Sequence, residues 1–265
     1  MEILAYFASV LIGISLGLIG GGGSILTVPV MVYLFGVNPI LATSYSLFIV
    51  GTTSLVGAYQ NWRDNLVNIK TALLFGLPSI LTVFIIRKFF IPFIPAHLFS
   101  ISGFEVTSNM LTMVLFALLM VAASFSMISE KKAKQQDLPL RSGNILKLLL
   151  YGVGIGITTG LLGAGGGFLL IPTLVILLGL PMKEAVGTSL MIIALNSLVG
   201  FAGDLGHYQI DWSFLFKVSS IAIAGVFLGT FLSTKIEGGK LKKGFGGFVF
   251  VMGGYIILKE LFLKP

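Results

Sequence analysis

Two glycine runs stand out as places where this chain could do chemistry: Gly20 to Gly23 with Ser24, followed by Pro29, and Gly163 to Gly167, followed by Pro172. Each interrupts an apolar stretch. A glycine inside a helix costs roughly 1 kcal/mol relative to alanine and readily takes backbone conformations that end the helix. Where a helix restarts after such a break, at Ser24 or Gly167, its first N–H groups lack intrahelical partners, and with the helix dipole they attract an anion. The expected chemistry is reversible anion binding, with backbone donors from Gly22, Gly23, Ser24, Gly165, Gly166 and Gly167. Close helix packing is the plainer use of glycine, and it is the reading for Gly13 with Gly17 and Gly156 with Gly160. A nucleotide-binding loop is excluded, since no Lys-Ser/Thr pair follows the glycines and no strand precedes them.

A second group of donors follows each break. Thr43, Ser44, Tyr45 and Ser46 stand in the first stretch, and Gly187, Thr188 and Ser189 in the second, with Thr52 to Ser54 and Asn196, Ser197 further on. Hydroxyl and amide groups can donate to an oxyanion without a buried counter-charge, so Ser46, Thr188, Ser189 and Asn196 join the candidate substrate-binding set. The alternative is that such hydroxyls bond back to their own helix. Charge is scarce in the apolar stretches. Asp204, His207 and Asp211 read as a short solvated loop, where His207 makes a coupling proton or cation a conceivable partner. With no cysteine and only His97 and His207, neither a metal site nor another cofactor is expected, and no nucleophile and base pair suggests an enzyme.

The elements that hold these groups are transmembrane helices. Hydrophobic residues make up 56% of the chain, charged residues only 10%, and the mean hydropathy is +1.03. A soluble domain carries roughly 25% charged residues, so lipid must replace water over most of this surface. The formal charge of +7 resides in short segments between apolar ones, which fits the positive-inside bias rather than nucleic-acid binding. Met1-Glu2 is unlike the basic start of a cleaved leader.

Residues 17 to 62 align without a gap onto 160 to 205, a shift of 143. Gly20 matches Gly163, Gly22 and Gly23 match Gly165 and Gly166, Pro29 matches Pro172, Ser46 matches Ser189, and Ser54 to Gly57 match Ser197 to Gly200. Apolar bias alone does not align glycines, prolines and serines, so the chain is a duplication. The expected units are repeat A at 1–129, a polar cytoplasmic linker at 130–144 and repeat B at 145–265. Helices are predicted over 3–19, 24–35, 40–60, 68–87 and 108–129, then 145–162, a short piece to 178, 183–203, 212–234 and 244–263. If each broken segment is a hairpin returning to its own side, the basic stretches near 131–147 and 235–243 fall on one face, which the positive-inside rule prefers. Three full crossings per half then invert the second repeat relative to the first, the sequence pointer to a secondary transporter. The expected fold is therefore an all-α polytopic membrane protein of two inverted, pseudo-symmetric repeats, each a glycine-broken hairpin plus three transmembrane helices.

At these residues the chain resembles the TauE/SafE family of sulfite exporters. The resemblance rests on Gly20 to Pro29 and Gly163 to Pro172, and on Ala185, Gly187, Thr188 and Ser189; the first copy departs, reading Ala42, Ser44, Tyr45, Ser46. It implies a cytoplasmic-membrane carrier for a small sulfur-containing anion such as sulfite or an organosulfonate. The residues alone leave two alternatives open: an anion channel, and a membrane component that assists a partner without transporting.

Overall fold

The computed structural model describes residues 2–95, 97–101, 104–128, 145–233 and 238–263, so the predicted linker at 130–144 lies outside the described residues. The described residues are predominantly helical. Helix α1 (Glu2–Ile19) runs into a tight 3-10 segment, Gly20–Leu26, and then a seven-residue α2 (Thr27–Tyr33). Asn38 starts α3 (Pro39–Arg63), its Oδ1 accepting from Ile40 N at 3.1 Å with proline in the first turn. Asn68 does the same for α4 (Ile69–Ile85), accepting from Thr71 N at 3.0 Å. The last turn after α4, Ile86–Phe90, widens into π-helix. An antiparallel ribbon, β1 (His97–Ile101) and β2 (Phe104–Thr107), joins α4 to α5 (Ser108–Ile128). It departs from the all-α expectation, which assigned no element between 88 and 107. The second half comprises α6 (Ile145–Leu162), α7 (Gly167–Leu178), α8 (Met182–Asp204), α9 (Trp212–Ser233) and α10 (Gly238–Leu258).

Among the described residues, six helices are long and apolar enough to cross a membrane: Pro39–Arg63, Ile69–Phe93, Ser108–Phe125, Met182–Asp204, Trp212–Leu232 and Lys243–Phe262. The outer ones expose leucine and phenylalanine, for example Leu73, Leu77 and Leu81 on α4 and Phe216, Phe227 and Phe231 on α9. That is the pattern for a lipid-facing surface.

The broken segments are hairpins. The rings of Tyr6, near the start of α1, and Phe35, just beyond α2, sit 5.6 Å apart. A continuous helix between them would hold them roughly 40 Å apart. In the second half Gly166 lies back against Ile155 and Thr159 of α6. Gly20 and Gly163, matched in sequence, open the two breaks with the same left-handed backbone, φ 70° and 68°, which a side chain would oppose.

The two halves interlock. Helix α1 packs on α9, and its counterpart α6 packs on α4; α3 lies against α8, and α5 against α10. Exchanging each element for its counterpart leaves this pattern unchanged, as a two-fold pseudo-symmetry requires. The shift of 143 holds at atomic detail beyond the aligned stretch. A Cβ on Gly13 would meet Ala222 and Gly225, and one on Gly156 would meet Ser79 and Thr82, the matched positions. Gly13, Gly17, Gly156 and Gly160 thus serve close helix contact, where small residues let backbones approach.

Candidate substrate site

The breaks meet at the pseudo-symmetry axis. A Cβ on Gly21 would strike the Cα of Gly167, and one on Gly167 would strike the Cα of Gly21. The symmetry-related contact joins Ser24 to Ala164: the Ser24 hydroxyl, fully buried, donates to Ala164 O and also to Gly21 O at 2.8 Å. No hollow separates the two breaks at this point: they are seated against each other, because the missing side chains allow backbone to touch backbone.

The candidate donors distribute around this contact. Gly22 and Gly23 lie in the 3-10 turn, Gly23 against Ser15 and Leu16 of α1. The first α-helical residue is Thr27 rather than Ser24, since the glycines wind as 3-10 helix first. Gly165 abuts Val50, Ile193 and Ser197, while Gly166 (φ 72°) caps the start of α7 beside Thr159 Oγ1. Ser46 donates to Gly163 O at 2.8 Å, tying α3 to the second break. Ser189 donates back to Val186 O at 2.8 Å, and Asn196 Nδ2 donates to Ser79 Oγ at 2.7 Å while its Oδ1, also buried, has no hydrogen-bond partner among the described residues.

Thr188 and Tyr45 occupy matched positions and do the same work. Thr188 Oγ1 accepts from Asn68 N at 3.0 Å, and Tyr45 Oη accepts from Asp211 N at 3.0 Å. Each secures the loop that leads into the next helix, α4 or α9. The departure at Tyr45 is therefore a longer side chain reaching the equivalent amide. Tyr45→Phe leaves that amide unpaired and is expected to cost about 1 kcal/mol of stability, read as a lowered thermal midpoint in detergent with flux retained.

A cavity of about 410 Å3 approaches the breaks from one side, lined by Thr53, Asn61, Asp64, Lys183, Val186 and Thr230 among others. Asp64 and Lys183 are exposed at its rim. Its inner wall includes Val186, whose Cγ1 lies 2.9 Å from the position of a Cβ on Gly20. The Val186 side chain thus stands between the hollow and the first break.

Sequence reasoning missed a charged group. Asp204 is fully buried rather than solvated, and Arg87, in the π-helical turn, is also 0% exposed; Arg87 Nη1 stands 3.1 Å from Asp204 Oδ2 and 3.0 Å from Thr43 Oγ1. Thr43 in turn presses on Gly163, so the pair reaches the second break through one residue. Arg87-Lys88 at the end of an apolar helix reads as an interfacial basic anchor; only extending the 143 shift, which sets Arg87 opposite Thr230, marks it as inward-facing.

The sulfite exporter TauE/SafE family model matches residues 5–256. A probable membrane transporter protein of Xylella fastidiosa (strain 9a5c) is 30% identical over 258 residues, covering 94% of this chain and 92% of the relative. The probable membrane transporter protein YdhB of Bacillus subtilis (strain 168) is 28% identical over 219 residues, 83% of this chain and 85% of that one. No solved structure matches. With a duplicated, glycine-broken architecture and a family match spanning both halves, the chain belongs to the TauE/SafE sulfite exporter family of membrane transporters.

Proposed function

We propose that this protein is a secondary carrier of the cell membrane that moves a small oxyanion, sulfite or an organosulfonate, by alternating access without ATP hydrolysis. The observation that carries this reading is the one-sided cavity that comes within one side chain, Val186, of the first glycine break, while the two breaks close on each other at Gly21 and Gly167. A carrier needs a hollow open to one face at a time, whereas a channel needs a continuous path. Separation of the touching breaks would free the amides of Gly22, Gly23, Ser24, Gly165, Gly166 and Gly167 toward the anion, with Ser46, Thr188, Ser189 and Asn196 as side-chain donors around them. Repeat A (1–129) and repeat B (145–265) then move against each other, with 130–144 on the cytoplasmic side. A proton or cation is the proposed coupling partner.

Liposomes containing only this protein test the reading across a panel of sulfite, a sulfonate and a carboxylate. Flux is expected to saturate with sulfite or sulfonate concentration and to show counterflow. Large single-channel currents would replace the carrier by a pore, and absence of flux with every anion would remove the transport function.

A further inference from the structure

The cavity has a pseudo-symmetric counterpart, and the counterpart is shut. Applying the 143 shift to its lining turns Thr53 into Asn196, Asn61 into Asp204, Val186 into Thr43, Leu190 into Leu47, Val226 into Val83 and Thr230 into Arg87. Asn61 and Thr230 are half-buried around open space. At the matched positions stand a carboxylate and a guanidinium, joined at 3.1 Å, with no exposure of either side chain. Arg87 packs directly against α8: its Cβ lies 3.0 Å from where a Cβ on Gly203 would sit.

The pair is poorly explained as a stability device. Taking two charges out of water costs more than their attraction returns unless the remaining hydrogen-bonding groups are satisfied. Here Arg87 Nε and Nη2 have no hydrogen-bond partner among the described residues. Buried donors left unpaired call for an explanation, of which a functional role is one, and a planar fork of N–H groups suits a tetrahedral or pyramidal oxyanion. The π-helical turn that carries Arg87 is a form found frequently at functional sites.

We propose that Arg87 is the anion-binding residue of a second vestibule on the opposite face, and that Asp204 holds it shut in this conformation by occupying the guanidinium. On opening, the pair separates, water enters, and the anion takes the place of the carboxylate on Arg87. The proposal rests on the carrier reading for its ligand class, but its conformational half is tested apart from flux.

Because the chain has no cysteine, single cysteines report opening without background. In nanodiscs, where both faces meet an impermeant maleimide, Asn61→Cys on the open cavity should label readily and Leu47→Cys, at a fully buried position, slowly. Adding Asp204→Asn to Leu47→Cys should raise its labelling rate about tenfold by shifting the closed vestibule toward open. Ethanesulfonate, which does not consume the reagent, should then protect Leu47→Cys, and Arg87→Gln added to Asp204→Asn should abolish protection while labelling stays fast. Should Asp204→Asn alone fail to fold, the neutral pair Arg87→Gln/Asp204→Asn carries the labelling measurement, with the same rise expected. An unchanged Leu47→Cys rate in a folded variant overturns the seal. Fast labelling with no protection, or with protection that survives Arg87→Gln, overturns the anion site. Fast labelling beside a parent protein that moves no anion in liposomes would instead remove the carrier reading and leave the seal standing.

Discussion

Replacing Gly21 by valine abolishes transport of whichever anion the parent carries, while leaving membrane insertion intact. A Cβ at Gly21 would collide with the Cα of Gly167 and with Ile193 Cδ1. The isoleucine tip can turn aside; the glycine backbone cannot. Overpacking a core costs typically about 1–3 kcal/mol even where side chains can yield, and here the whole strain falls on the contact between the breaks. The helices inserted in the bilayer are set by long apolar segments elsewhere, so yield and insertion are preserved. The control is Gly154→Val on α6, where an added Cβ meets nothing within 4 Å; its flux should match the parent. Comparable flux from Gly21→Val and Gly154→Val in liposomes would show that the close approach of the breaks does not matter to transport.

The same contact marks how far sequence could see. Matched glycines and prolines declared the duplication, and the distribution of basic residues argued for hairpins, which the Tyr6–Phe35 ring contact bears out. Both signals are local or periodic. The meeting of Gly21 with Gly167 joins residues that are not themselves aligned, because a symmetry axis pairs each position with the counterpart of another. Alignment reveals the copies but not the axis between them. The ribbon was missed for a different reason: apolar and polar residues do alternate along Phe99, Ser100, Ile101 and again along Phe104, Glu105, Val106, Thr107, but strands this short carry little weight beside the long apolar spans that flank them.

The hydroxyl patch shows the limit of residue type as evidence. Ser, Thr and Tyr at the start of α3 and α8 could serve an oxyanion or the chain itself, and composition does not choose. The structure gives Thr188 and Tyr45 matched duties toward Asn68 and Asp211, so a substitution that seemed to alter a binding surface preserves a loop anchor. Arg87 was lost for the reverse reason. Its partner is far away in sequence, and a basic pair closing an apolar helix has a common, uninformative explanation in the membrane interface.

Arg87→Leu is the single substitution expected to damage stability most. It leaves Asp204 at 0% exposure without its counter-charge, and breaking a buried pair by removing one partner costs about 3–5 kcal/mol. Removing both members of the pair has a different effect. Arg87→Met with Asp204→Leu removes both charges and supplies apolar volume, a change that is often neutral or stabilising by about 1–4 kcal/mol. Thermal unfolding in detergent should therefore rank Arg87→Leu well below the parent and the double variant level with it or above. Equal losses in the single and double variants would mean that the shape of the arginine, not its charge, is what the core requires. If the pair served stability alone, the double variant would also transport normally. A seal that must open to water predicts otherwise: an apolar plug loses the hydration that favours the separated charges, so the double variant should be well folded and inactive.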